Sequence, residues 1–444
     1  MLTSATSLFG VTLLGALALF TVIRPRLALM CFVFCVPCPG LPDVLGFDPR
    51  LYWAFFLGAC ALYARLTSGE AKLPRLAVLA WLGFVSLAAI IIWQNHFGLD
   101  SEDLESAYSF FRYFTAGSLV FFAFRQLVTT REEMLRFIPV FASSVLCVSI
   151  EGLWEAIHSY AVGGGGRIEG LFGNPNYLAG FLALSVSILL LLRRYGLTPD
   201  RVRTRKLLTV AIAAGTLCCI STLSRGGITA LILGISLNWF FLINPTMNLK
   251  RLVAALIPAA VTVVILTTGQ LMSVRFRVTY SDDPNTLDSA TVNQGVEDLS
   301  RLEAALYAID LIEQHPVFGS GIGTFAATNY KNTGNYVANH DTYLEILTGT
   351  GVVGFSLLAG ILWALAAALT PPQRKSLGAV LGVTLAVCAT TDLMQALEFF
   401  AVLALAHSFV TQCVDVESED SIRDGVGAGL GSEAQWPGFS MSQD

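Results

Sequence analysis

Apolar runs of near-membrane length succeed one another almost throughout this chain. They fall near residues 7–23, 27–42, 51–64, 76–93, 107–124, 137–157, 177–192, 207–223, 228–243, 252–268, 345–369, 377–391 and 397–413. No other feature constrains the fold as much. A backbone inside hydrocarbon must satisfy its own hydrogen bonds, and segments of this length do so as helices. The runs at 27–42 and 51–64 are the weakest against the ~20 residues that a perpendicular span needs, and one of the two is a candidate re-entrant segment. The expected fold is an all-α polytopic membrane protein with about 12–13 transmembrane helices and one long, partly helical periplasmic loop.

Charge content agrees. Only 13% of the 444 residues are charged, where a soluble domain carries about 25%. Mean hydropathy is +0.65. These values exclude an ordinary soluble enzyme, a disordered chain and a nucleic-acid binder. The net charge of −5 is unevenly placed. Residues 414–444 hold seven acids and one base, so the remainder sums to about +1. That acidic Gly/Ser-rich tail has too little apolar surface to offset ordering entropy, and we expect it to be disordered. Nine cysteines sit in or beside apolar runs, and residues 269–339 contain none. A disulfide framework or metal cage is therefore not expected.

Basic residues set the expected orientation. Arg24/Arg26, Arg65/Lys72/Arg75, Arg125/Arg131/Arg136, the group from Arg193 to Lys206, Lys250/Arg251 and Arg374/Lys375 fall in every second connection. Such connections are cytoplasmic by the positive-inside rule. The complementary ones, 37–50, 94–106, 158–176, 224–227 and 269–344, then face outward. The expected organisation is a transmembrane bundle of about ten spans over 1–268, a long periplasmic loop over 269–344, C-terminal transmembrane helices over 345–413 and the tail over 414–444.

The long loop has structure signals of its own. Ser300-x-x-Glu303 reads as a capping box, and the spacing of Leu302, Leu306, Ile309 and Glu313 predicts an amphipathic helix over 301–314. His315-Pro316 ends it. Thr342-x-x-Glu345 reads as a second capping box leading into the next span. His340 then stands just outside a helix N-terminus, whose positive end favours a neutral ring able to accept a proton. His315 reads equally well as structural. The glycines at 319, 321 and 323 follow no Rossmann strand, so they predict a tight turn rather than a nucleotide loop.

Two further outward stretches carry chemistry-bearing residues. In the first, Arg167 is followed by Gly170-Leu171-Phe172-Gly173-Asn174-Pro175-Asn176, where Asn174 suits an N-cap and Pro175 the first helical position. In the second, Ser224-Arg225-Gly226-Gly227, an arginine lies at a tight outer turn between spans, on the side that normally lacks them. Arg301 opens the loop helix against the macrodipole, so helix stability does not explain it. Guanidinium forks match phosphate oxygens bidentately. Arginines, amides and a histidine gathered at one membrane face suit an amphipathic anion such as a lipid diphosphate.

With these residues in view, the chain resembles the O-antigen ligase and O-antigen polymerase superfamily, and most of all an O-antigen ligase. The resemblance rests on Arg167 with Gly170–Asn176, Ser224-Arg225-Gly226, Arg301, His315-Pro316-x-x-Gly319-x-Gly321, Asn339-His340 with Tyr343-Leu344, and Gly351-x-x-Gly354, and covers about residues 160–355. It implies a glycosyltransferase of the bacterial inner membrane that moves a glycan from undecaprenyl diphosphate to a sugar hydroxyl of lipid A–core on the periplasmic face. The partners so implied are the lipid-linked donor, the lipid A–core or other glycan acceptor and membrane lipid. Neither metal nor nucleotide cofactor is implied, and the anomeric centre would invert. His340 would be the catalytic base. Arg225 and Arg301 would bind the diphosphate, assisted by Arg167, with Asn174, Asn176, Asn339 and His315 as further substrate-binding candidates. The same motifs also fit a polymerase or a protein O-oligosaccharyltransferase of the superfamily. From a different class, a multi-span transporter would use Glu151, Asp392 or Glu398 within the membrane.

Overall fold

The computed structural model describes residues 2–38, 48–68, 75–96, 101–161, 167–195, 202–243, 303–333, 341–391 and 396–414. Among them every regular element is helical and none is a strand. The protein is an all-α polytopic membrane protein. The apolar run at 252–268, the start of the predicted loop helix at 301–302 and the acidic tail from 415 onward lie outside the described residues.

In chain order the helices are α1 (Leu2–Ile23), α2 (Pro25–Cys35), α3 (Pro49–Ser68), α4 (Arg75–His96), α5 (Ser101–Leu127), α6 (Arg131–Ala161), α7 (Pro175–Tyr195), α8 (Val202–Ser221) and α9 (Arg225–Ile243). Then follow α10 (303–314), α11 (Phe325–Thr333), α12 (Thr342–Ala367), α13 (Pro371–Cys388) and α14 (Leu397–Cys413). Among the described residues four stretches are long and apolar enough to cross a membrane: Arg131–Ser159, Pro175–Tyr195, Val202–Ser221 and Thr342–Ala367. The weak run at 51–64 is part of the 20-residue α3. The weak run at 27–42 holds the shortfall, because α2 has 11 residues and rises only about 17 Å.

The helix ends carrying the basic residues meet one another. Arg26 at the start of α2 donates to the Leu127 carbonyl that ends α5 and pairs with Glu133 on α6. Arg125 of α5 donates to Thr411 near the end of α14. Gln373 of α13 donates to the Val414 carbonyl just beyond α14. Arg374 donates to the Leu369 and Ala367 carbonyls at the end of α12, where a cation complements the helix dipole. This is the basic end of the bundle.

At its centre stands α7, buried along almost its whole length. Small residues let its neighbours approach as closely as helices in lipid require. A Cβ on Gly227 of α9 would lie 2.2 Å from Ala179 Cβ, and one on Gly180 would lie 2.7 Å from Val387 of α13. The packing fixes which helix ends sit side by side opposite the basic end.

A broken helix positions the loop after α10. Gly351 has φ +61° and ψ −166°, which interrupts α12. The amides freed there are not left bare. Val352 N–H donates to the Pro316 carbonyl and Val353 N–H to the Val317 carbonyl, while Ser320 N–H donates to the Thr348 carbonyl. The turn after α10 thus docks into the break. Irregular backbone at such depth is tolerated because protein, not lipid, surrounds it.

Candidate functional site

The outward stretch beginning at Arg167 folds back on itself. Residues Gly170–Phe172 form one 3₁₀ turn, and Gly173 at φ +60° redirects the chain into α7. Asn174 caps α7 as expected, its Oδ1 accepting from the amides of Asn176 at 2.8 Å and Tyr177 at 3.4 Å. Its side chain therefore has a structural task. Glu155 of α6 clamps the turn from the other side, accepting from Gly170 N–H at 2.6 Å and Glu169 N–H at 3.3 Å.

Asn176 joins two of the sequence motifs. Its Oδ1 accepts from Arg167 Nη2 at 2.9 Å and from Ser224 Oγ at 2.9 Å. Ser224 in turn accepts from Gly227 N–H at 3.3 Å, so it caps α9. Arg225 is the first residue of that helix, and its side chain is exposed. One amide oxygen thereby joins Arg167 to Ser224, the residue just before Arg225.

The same surface continues to the start of α12. A Cβ on Gly226 would lie 2.4 Å from Thr390 Oγ1, so the Arg225 turn rests directly on the end of α13. The next residue, Thr391, accepts through its carbonyl from Thr342 Oγ1 at 2.7 Å. Thr342 begins α12, and Asp341 caps it by accepting from Tyr343 N–H at 2.8 Å and Leu344 N–H at 3.2 Å. The expected Thr342-x-x-Glu345 box is thus replaced by a cap one residue earlier. Thr342 is already the first helical residue, Asp341 has the extended backbone of the cap, and Glu345 is buried. Burial pushes the Asp341 carboxyl above its ordinary range, against the opposing pull of the two amides.

His340 precedes this cap in the chain. His340, Asn339 and Arg301 lie outside the described residues. His315 is described and exposed at the end of α10, where its carbonyl accepts from Gly319 N–H. Among the described residues no hydrogen bond connects it to the Arg167–Asn176–Ser224 group. Helix α10 ends at residue 314, where His315-Pro316 predicts it.

Residues 208–359 match the family described as O-Antigen ligase. Over that stretch the chain is similar to the O-antigen ligase family. The match takes in Arg225, Arg301, His315, Asn339 and His340 and leaves Arg167, Asn174 and Asn176 before it. Asn176 binds the flanking segment to the matched region through Ser224. No curated protein matches the chain.

One polar group escaped the sequence reading. Arg50 at the start of α3 makes a two-pronged pair with Asp48, at 3.0 Å through Nε and 2.8 Å through Nη2. It also donates to the Val36 carbonyl at 2.8 Å and faces Glu398 of α14 at 3.8 Å. Tyr113 of α5 donates to Asp48 at 3.0 Å. Asp48, Arg50 and Glu398 are all buried. The signal was present in Asp48-Pro49-Arg50, a charged pair at the head of an apolar run.

Glu398 is a member of this cluster, which weakens the transporter alternative that relied on it. The break in α12 is filled by the turn after α10.

Proposed function

We propose that the protein is an O-antigen ligase-type glycosyltransferase of the bacterial inner membrane. It moves a glycan from undecaprenyl diphosphate to a sugar hydroxyl of lipid A–core on the periplasmic face. The end of the bundle opposite the basic residues faces the periplasm in this reading.

The observation that carries the proposal is one continuous chain of contacts. It runs from Arg167 through Asn176 to the buried Ser224 and on to Arg225, then across Thr390 and the buried Thr391 to Thr342 beside Asp341. His340 precedes Asp341 in the chain, and we assign it the base for a donor diphosphate held by Arg225.

Chemistry follows from the charges. Arg225 and Arg301 grip the diphosphate oxygens, and Arg167 adds to the field. As the bond between the anomeric carbon and the diphosphate oxygen breaks, negative charge grows on the leaving group, and fixed guanidinium groups stabilise it. His340 takes the proton of the acceptor hydroxyl as that oxygen forms the new glycosidic bond. A single displacement inverts the anomeric centre. Asn339 and His315 belong to the acceptor side, and Asn174 serves the donor side indirectly by holding the turn of Arg167.

The test is direct. Purified full-length protein is incubated with lipid-linked glycan and either lipid A–core or a second lipid-linked glycan, in chelator and without nucleotide. The products are resolved by mass. Glycosylated lipid A–core with inverted linkage is expected. Chain extension of the lipid-linked glycan alone would replace the ligase reading by a polymerase, and no transfer to either acceptor would overturn both.

A further inference from the structure

A cavity of about 550 Å³ lies among α3, α4, α5, α12, α13 and α14, a size in the range of about 300–1,000 Å³ usual for ligand sites. Its wall is mostly hydrocarbon, with Phe55, Phe114, Phe122, Leu362, Leu381 and Phe400 contributing. Four side chains with polar atoms also line it: Arg65, Trp81, Ser118 and His407. The Ser118 hydroxyl is satisfied by the Phe114 carbonyl. The other buried groups are not. His407 is 4% exposed, and neither ring nitrogen has a hydrogen-bond partner. The backbone of Leu365 is a polar neighbour, and Phe121 packs on the ring at 5.2 Å. The indole Nε1 of Trp81 is also buried without a partner.

The depth of these groups is set by the helices that carry them. His407 lies six residues before the end of α14 and Trp81 six residues after the start of α4. At 1.5 Å per residue both stand about 9 Å from the basic end. Arg65 is three residues before the end of α3, about 5 Å from the same end. A cation thus stands at the rim, an indole N–H without a partner and a buried imidazole lie just below it, and an apolar chamber lies beyond. A buried donor without an acceptor costs about 1–3 kcal/mol, so the Trp81 indole points to an occupant that supplies an acceptor.

We propose that this cavity holds a diacyl phospholipid from the leaflet at the basic end. One acyl chain fills the chamber. An ester carbonyl accepts from the Trp81 indole and the His407 imidazole, and the phosphate pairs with Arg65. A polyprenyl chain fits less well, because it has no carbonyl along its length and its diphosphate belongs at the opposite end of the bundle. The site therefore binds lipid as a component of the bundle, apart from any donor. It rests on the basic end lying at a membrane surface, and only the placing of the polyprenyl diphosphate at the opposite end rests on the proposed function.

The full-length protein in nanodiscs is photolabelled with phosphatidylglycerol bearing a diazirine on one acyl chain, and the labelled peptides are mapped by mass. Labels are expected within α5 and α14 around Phe114–Phe122 and Phe400–His407. Unlabelled diester phosphatidylglycerol should compete at least tenfold better than its diether analogue, which lacks the carbonyls. Leu381→Trp, which fills the chamber, and Trp81→Phe/His407→Phe, which removes the donors, should each lower labelling at least fivefold. Equal competition by diester and diether lipids would overturn the proposal. So would labelling of these peptides by a diazirine polyprenyl phosphate that phosphatidylglycerol fails to displace. The competition arm uses unaltered protein, so it decides the matter even if a variant does not fold.

Discussion

Asn176 concentrates more of the site on one atom than any other described residue. Its Oδ1 serves Arg167 and Ser224 together, so the two donors depend on one acceptor and their contributions should not add. Asn176→Leu leaves both without it, a cost of about 1–3 kcal/mol, and should lower kcat/KM for glycan transfer at least tenfold. Ser224→Ala removes one leg together with the cap that Ser224 gives α9. The double variant should lose less than the sum of the two single losses, as a double-mutant cycle on kcat/KM would read out; simple additivity would mean that the shared oxygen does not couple them. At Arg225 the demand is geometric as well as electrostatic. Lysine keeps the charge and loses the fork, so Arg225→Lys should reduce transfer at least a hundredfold while the protein still inserts. Retained turnover would remove the diphosphate from this residue. His340→Ala should abolish transfer without loss of membrane-inserted protein, and normal surface glycan in cells carrying it would refute the base.

Elements succeed or fail here through their backbone at two glycines. Gly319 has φ +74°, and a Cβ there would lie 2.5 Å from both the Gly349 carbonyl carbon and the Thr350 nitrogen. Gly173 also has positive φ, +60°, but open space around it. Gly173→Ala should therefore cost only the left-handed strain of about 1–2 kcal/mol. Gly319→Ala meets the same strain and a backbone collision that no side-chain rotation relieves. Its melting temperature in detergent should fall well below that of Gly173→Ala, with the turn after α10 expelled from the break in α12. Equal melting temperatures would show that the docking contributes nothing. This element also marks the limit of what was legible beforehand. The helices were readable because apolar runs in lipid have few alternatives, and the Asn174 cap and the His315-Pro316 stop follow from local chemistry. The interruption of α12 was not readable. Gly351 lies inside a continuous apolar run, and its break depends on Pro316 and Val317, which arrive from 35 and 34 residues away. The cap of α12 was misassigned for a local reason: Thr342 and Asp341 are both good caps, and it is Asp341 that accepts from the Tyr343 and Leu344 amides.

At the scale of the whole molecule, one buried cluster ties the early helices to the last. Asp48 and Arg50 begin α3, Val36 follows α2, Tyr113 belongs to α5 and Glu398 to α14. The ligase-family match ends at residue 359, so this cluster joins parts of the chain that lie on both sides of it. Sequence showed the charged pair Asp48 and Arg50 and the isolated Glu398 separately, but not that they meet, because the members are spread over about 360 positions. The energetics are asymmetric. Two buried carboxylates face one guanidinium, and removing the guanidinium leaves them with no counter-charge. Breaking such a group by losing one member costs about 3–5 kcal/mol, whereas replacing every charge by an apolar side chain is often neutral or stabilising. Arg50→Leu should therefore depress the melting temperature sharply, and Asp48→Leu/Arg50→Leu/Glu398→Leu should restore most of the loss despite carrying more substitutions. Transfer activity then separates two roles. If the cluster serves only to hold α2, α3, α5 and α14 in register, the triple variant should regain activity along with stability. A triple variant that melts like the unaltered protein yet fails to transfer glycan would instead assign these charges a part in the reaction, which the present arrangement of the site does not require.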